Sequence, residues 1–117
     1  MAKKILVVDD SVTMRHAVAT CLIQNGFEVE EAADGAEALG KVGQVSLAIC
    51  DVNMPVMNGI EFVKEMTSRG STVPIVMLTT EGRPELVAAA RSAGAKGWLV
   101  KPFNSEQLVK VVRKLAV

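Results

Sequence analysis

This 117-residue chain has no excess of either charge: 13 lysines and arginines stand against 13 aspartates and glutamates. Without a basic surplus, nothing recommends nucleic acid as a partner. No apolar run approaches the roughly 20 residues of a membrane span, and Lys3-Lys4 with the few apolar residues after it is too short for a secretory signal. No membrane partner and a cytoplasmic location are expected. Cysteine is scarce. Cys21 falls on an apolar helix face and Cys50 in a buried strand, so both read as packing residues and not as a disulfide. His16, the single histidine, reads as an exposed helix residue with no phosphohistidine or ligand role. Glycine-rich phosphate loops and dinucleotide fingerprints are absent, so the chain does not look built to hold a nucleotide. Linkers, low-complexity segments and long repeats are missing too, which leaves one domain over residues 1–117.

Half of the residues are apolar, which excludes disorder and supplies a core. They are arranged as five strand–helix units. Lys4 to Val8 reads as the first strand. A helix from about Val12 to Asn25 carries Met14, Ala17, Val18, Cys21 and Leu22 at helical spacing, and Gly26 stops it. Glu28 to Ala32 is the most polar strand, which suits a sheet edge. Asp34 and Glu37 resemble a capping box for a short helix closing at Gly43. Strand three is Ser46 to Cys50. Pro55, Asn58 and Gly59 punctuate a loop before a helix with Ile60, Val63 and Met66 inward. Strand four is Pro74 to Leu78. The fourth helix begins near Pro84 and ends at Gly94; its packing face is small (Ala88, Ala89, Ala90, Ala93), with Leu86 and Val87 as anchors. Strand five is Gly97 to Val100. Asn104 and Gln107 cap a last helix striped by Leu108, Val111, Val112 and Leu115. Strands one, three and four are apolar throughout, so helices should cover both faces of a parallel sheet.

Four of the five strands end on residues suited to phosphoryl or metal chemistry: Asp9-Asp10, Asp51, Thr79-Thr80 and Lys101. Ligands of open parallel sheets bind outside the carboxyl ends of the strands, so these side chains are expected to converge. Three carboxylates together repel, and a hard divalent cation relieves this. Mg²⁺ suits the set, with Asp10 and Asp51 as direct ligands and Asp9 holding a metal-bound water. Asp51 stands alone at the central strand end, where a carboxylate can attack phosphorus and form an acyl phosphate. Lys101 supplies a compact positive charge, and Thr79 a hydroxyl able to donate to a phosphoryl oxygen. Plainer readings compete. Asp9-Asp10 can simply cap the first helix, Thr79 can reflect strand propensity, Lys101 can be a solvated strand end, and Trp98 can be a strand residue packed on the last helix.

Four segments resemble the receiver domain of bacterial response regulators: Val7-Val8-Asp9-Asp10-Ser11, Asp51-Val52-Asn53-Met54-Pro55 with Gly59, Leu78-Thr79-Thr80-Glu81, and Lys101-Pro102-Phe103. The resemblance spans essentially the whole chain. It implies a flavodoxin-like (βα)5 three-layer sandwich; the strand order 2-1-3-4-5 is already known for such folds, this family's chemotaxis members included, and is taken over from them. It also implies that Asp51 takes phosphate from a sensor histidine kinase. Asp10, Asp51 and the Asn53 carbonyl would bind Mg²⁺ with Asp9 assisting. Thr79 would move toward the phosphoryl group and Lys101 would pair with it, with Lys101-Pro102 cis. Asn53 and Glu81 would tune the rate of dephosphorylation, and Trp98 would occupy the switch-aromatic position, usually Tyr or Phe. Asn58 departs from the acidic residue frequent at its position.

The receiver is expected to fill the chain without an output domain, so output is a binding event and not an enzymatic one. The preferred setting is chemotaxis, because the segment Asp10 to Arg15 and the pair Thr80-Glu81 resemble that branch. The flagellar motor switch is then the downstream target, with a phosphatase as a further partner. A phosphorelay carrier, handing its phosphate to a histidine phosphotransfer protein, is the alternative. An aspartate-nucleophile phosphatase is disfavoured, since it needs an acid/base carboxylate two residues after the nucleophile and position 53 is Asn. A degenerate scaffold receiver is disfavoured because every chemical residue is present.

Overall fold

A computed structural model describes residues 2–80 and 82–116. Glu81 lies outside the described residues. Five parallel strands form one sheet in the order β2-β1-β3-β4-β5: β1 Lys4–Val8, β2 Glu28–Ala32, β3 Leu47–Cys50, β4 Ile75–Thr79 and β5 Gly97–Val100. The polar β2 lies at an edge, as its composition predicts. The helices are α1 Val12–Gln24, α2 Gly35–Leu39, α3 Gly59–Ser68, α4 Pro84–Ala93 and α5 Ser105–Leu115.

Alternation along the strands divides the core into two layers. Leu6, Val8, Ala48, Cys50 and Met77 face one side with Phe62, Val63 and Met66 of α3 and with Ala90 and Ala93 of α4. Ile5, Val7, Leu47, Ile49, Val76 and Leu78 face the other side with α1 and α5. Every residue of β3 and β4 is buried, because helices cover both faces.

Most helix ends follow the polar signals. The Ser11, Asp34, Asn58 and Asn104 side chains each accept a backbone N–H three residues on. Asn58 and Glu61 complete a reciprocal capping box. Gly26 and Gly94 take positive φ just past α1 and α4, which L residues rarely adopt.

Several expectations need correction. The second helix ends at Leu39 and not at Gly43; a separate 3₁₀ turn follows at Val42–Gln44. Ala17 is exposed while Ala19 is buried. Ala88 and Ala89 face outward, so α4 buries only Ala90 and Ala93 completely. Phe62, not among the inward residues predicted for α3, is its most buried large side chain, whereas Ile60 is half-buried. Periodicity locates an apolar stripe, but its edges depend on how each helix is rotated onto the sheet.

Candidate phosphoryl-acceptor and metal site

The strand ends gather the predicted groups at one edge of the sheet. Asp9 follows β1, and its N–H still pairs with the Ala32 carbonyl of β2 at 3.0 Å. Asp51 follows β3, its N–H bonded to the Val8 carbonyl at 3.0 Å. These two ladder bonds set the carboxylates side by side between β1 and β3, where the strand order reverses. One oxygen from each of Asp9, Asp10 and Asp51 lies within 4.8 Å of the others. Asp9 and Asp51 are buried, at 4% and 8% exposure, while Asp10 is exposed.

Lys101 supplies the counter-charge. Its Nζ donates to Asp9 Oδ2 at 2.7 Å and to Asp51 Oδ2 at 3.1 Å. The Lys101 N–H donates to the Thr79 carbonyl at 2.8 Å, which ties the lysine to the end of β4, and the Lys101-Pro102 bond is cis. Burial pulls the Lys101 ammonium toward neutrality, but the hydrogen bonds it donates to Asp9 and Asp51, and then their charges, hold its pKa above the ordinary lysine value. The solvated-strand-end reading of Lys101 does not survive these contacts.

Thr79 is wholly buried at the end of β4. It pairs in register with Val100, and Met77 pairs with Trp98. Alternation then puts Thr79, Met77 and Trp98 on one face of the sheet. Trp98 packs against the layer containing Ala90 and Ala93 of α4, not against the last helix. Asn53 is exposed, and its N–H points to Asp51 Oδ1 at 3.4 Å.

Three carboxylates against one ammonium leave a net charge of about two minus, and the candidate ligand atoms among the described residues are carboxylate oxygens. That donor set fits a hard divalent cation. Beneath it, Cys50 is buried and its Sγ lies 3.3 Å from the Asp51 carbonyl oxygen. Burial first, and then the charges of Asp51 and Asp9, push this thiol well above its usual range, so it is neutral and unreactive. Both cysteines are free.

Two features escaped the sequence reading. A Cβ on Gly59 would stand 2.1 Å from the Asp51 carbonyl oxygen, so α3 starts directly against the Asp51 backbone. Arg15 reaches from α1 to the Asp9 carbonyl through Nη1 at 2.7 Å, and to Glu31 Oε1 on β2 through Nε at 2.9 Å. An arginine one turn past an acidic doublet was the available signal.

Comparison with known proteins agrees with this architecture. Residues 5–113 match the response regulator receiver domain. The chain is 38% identical to the chemotaxis protein CheY of Bacillus subtilis strain 168, covering 97% of this chain and 98% of the relative. It is 43% identical to chemotaxis protein CheY1 of Helicobacter pylori strain ATCC 700392 / 26695, over 90% of each. The solved structure of Vibrio cholerae chemotaxis protein CheY4, crystallised at low pH, superposes with a TM-score of 0.91 at 49% identity, covering 98% of this chain and 99% of that one. The chain belongs to the response regulator receiver family. Within it, the relatives are chemotaxis response regulators of the CheY kind, which are phosphorylation-activated. Among the described residues no helix is long and apolar enough to cross a membrane.

Proposed function

We propose that Asp51 is the phosphoryl acceptor of a cytoplasmic receiver that signals by binding, without turning over other substrates. The observation carrying this reading is the shared Lys101 bridge between Asp9 and Asp51 at the sheet's carboxyl edge. An Asp51 carboxylate oxygen attacks the phosphorus of a phosphohistidine; the P–N bond breaks, its electron pair returns to the donor imidazole, and an acyl phosphate forms on Asp51. Lys101 balances charge on the phosphoryl oxygens, and Thr79 donates its hydroxyl to one of them. Asp10, Asp51 and the Asn53 carbonyl would hold Mg²⁺, with Asp9 assisting, and a cation held there would supply positive charge against the phosphoryl oxygens.

The switch follows from the face that Thr79 shares with Trp98. Drawing Thr79 toward the phosphoryl group disturbs the packing beside Met77, and Trp98 and α4 respond. α4 buries few large side chains, which gives it the low local stability a moving element needs. A partner surface on α4, β5 and α5 is thereby altered. The kinase donor is a sensor histidine kinase, and the relatives' chemotaxis names favour the flagellar motor switch as target. Asn53 and Glu81 are assigned to tuning of the dephosphorylation rate.

Replacing the acceptor tests the reading. Asp51→Asn should abolish labelling by a cognate kinase or by phosphoramidate, and phosphate retained on the variant would move the acceptor elsewhere.

A further inference from the structure

We propose that Arg15 is a positioning residue for the cation-binding carboxylates, acting through the backbone carbonyl of Asp9 and braced by Glu31. The inference rests on the reading above that the acidic cluster holds a divalent cation.

The Asp10 carboxylate makes no hydrogen bond or ion pair among the described residues, in contrast to Asp9 and Asp51. Its direction is therefore set by the peptide that carries it. That peptide is planar, so holding the Asp9 carbonyl oxygen fixes the plane from which Asp10 projects. Arg15 Nη1 does this at 2.7 Å. The guanidinium is itself immobilised. Its Nε bonds Glu31 Oε1 at 2.9 Å, its side chain is only 14% exposed, and the Arg15 N–H is in the first turn of α1, bonded to the Ser11 carbonyl at 2.9 Å. The Asp9-Asp10 turn is thus gripped from α1 and from the edge strand β2 together. Mg²⁺ demands near-ideal octahedral geometry, so it is sensitive to a loosened ligand. The planar fork matters because lysine carries the same charge at a single point and cannot make both bonds.

Electrostatics alone predicts the opposite outcome. Removing Arg15 leaves Glu31 and the three aspartates with one less positive charge nearby, and a purely Coulombic role would tighten Mg²⁺ binding. The clamp predicts weakening instead. Isothermal titration of Mg²⁺ into the whole protein should give an affinity about tenfold lower for both Arg15→Ala and Arg15→Lys, the scale seen when outer partners of metal ligands are lost. Phosphorylation by phosphoramidate should slow at low Mg²⁺ and recover toward the wild-type rate at saturating Mg²⁺. Unchanged or tighter Mg²⁺ binding by a folded Arg15→Lys overturns the clamp. Failure of the wild-type protein to bind Mg²⁺ overturns the underlying site reading as well, and so separates the two failures.

Discussion

Lys101 Nζ stands 3.1 Å from Asp51 Oδ2, joining residues 50 positions apart in the chain. The same nitrogen is 2.7 Å from Asp9 Oδ2, and all three side chains are about nine-tenths buried or more. Lys101 is thus the resting counter-charge of both carboxylates, and in the proposed function the same group meets the phosphoryl oxygens. Lys101→Ala leaves two buried carboxylates facing each other, and breaking such a pair costs about 3–5 kcal/mol. Urea denaturation in EDTA should show a loss on that scale, with Mg²⁺ restoring much of it. The variant should still accept phosphate at Asp51 while partner affinity no longer responds. Full stability in EDTA would mean the bridge carries little of the charge balance.

Gly59 and Asp51 form a second constraint. With a Cβ placed 2.1 Å from the Asp51 carbonyl oxygen, Gly59→Ala must push α3 away from Asp51 or strain the loop. The Gly59 N–H donates to the Val52 carbonyl at 2.9 Å, so any shift reaches the residue after Asp51. Overpacking of this kind costs about 1–3 kcal/mol. Thermal melting should register that loss, and phosphoramidate labelling should slow even in fully folded protein. A normal labelling rate would show that the acceptor tolerates movement of α3.

Alkali should destabilise the metal-free protein in two stages. The folded Cys50 thiol is raised above its ordinary value of 9.0, so above that pH the unfolded chain releases a proton that the folded chain keeps. Stability then falls as pH rises, by up to about 1.4 kcal/mol per pH unit for one proton. Lys101 acts with the same sign. Its folded pKa is raised, so its contribution is intact below the ordinary 10.5 and is lost as pH climbs through the folded value. Urea midpoints in EDTA between neutrality and strong alkali check both stages. Cys50→Ala should remove the earlier decline and spare the later one.

Trp98 offers an optical probe of the switch, because it is the chain's single tryptophan. The cavity it borders with Val87 and Ala90 is only about 20 Å³, so the ring and α4 have to move together. Mg²⁺ with a beryllofluoride phosphoryl mimic should change its fluorescence, and hydrogen exchange over residues 83–93 should change in step. A flat signal with unaltered exchange, despite increased partner affinity, would place the switch in another element.

The sequence by itself determined the five strand–helix units, the edge position of the polar β2 and the capping residues, because alternation, apolar runs and Gly, Asn or Asp punctuation are local properties. It also put Asp9, Asp10, Asp51, Thr79 and Lys101 at strand ends, where topology alone implies convergence. Tertiary structure decided what depends on distance and orientation. It gave Lys101 the Asp9 and Asp51 carboxylates as partners, turned Trp98 toward α4, faced Ala88 and Ala89 outward, set Gly59 against the Asp51 backbone and drew Arg15 across to Asp9 and Glu31. Those outcomes depend on strand register and on the rotation of each helix about its own axis, and both are settled only when the two layers close on the sheet.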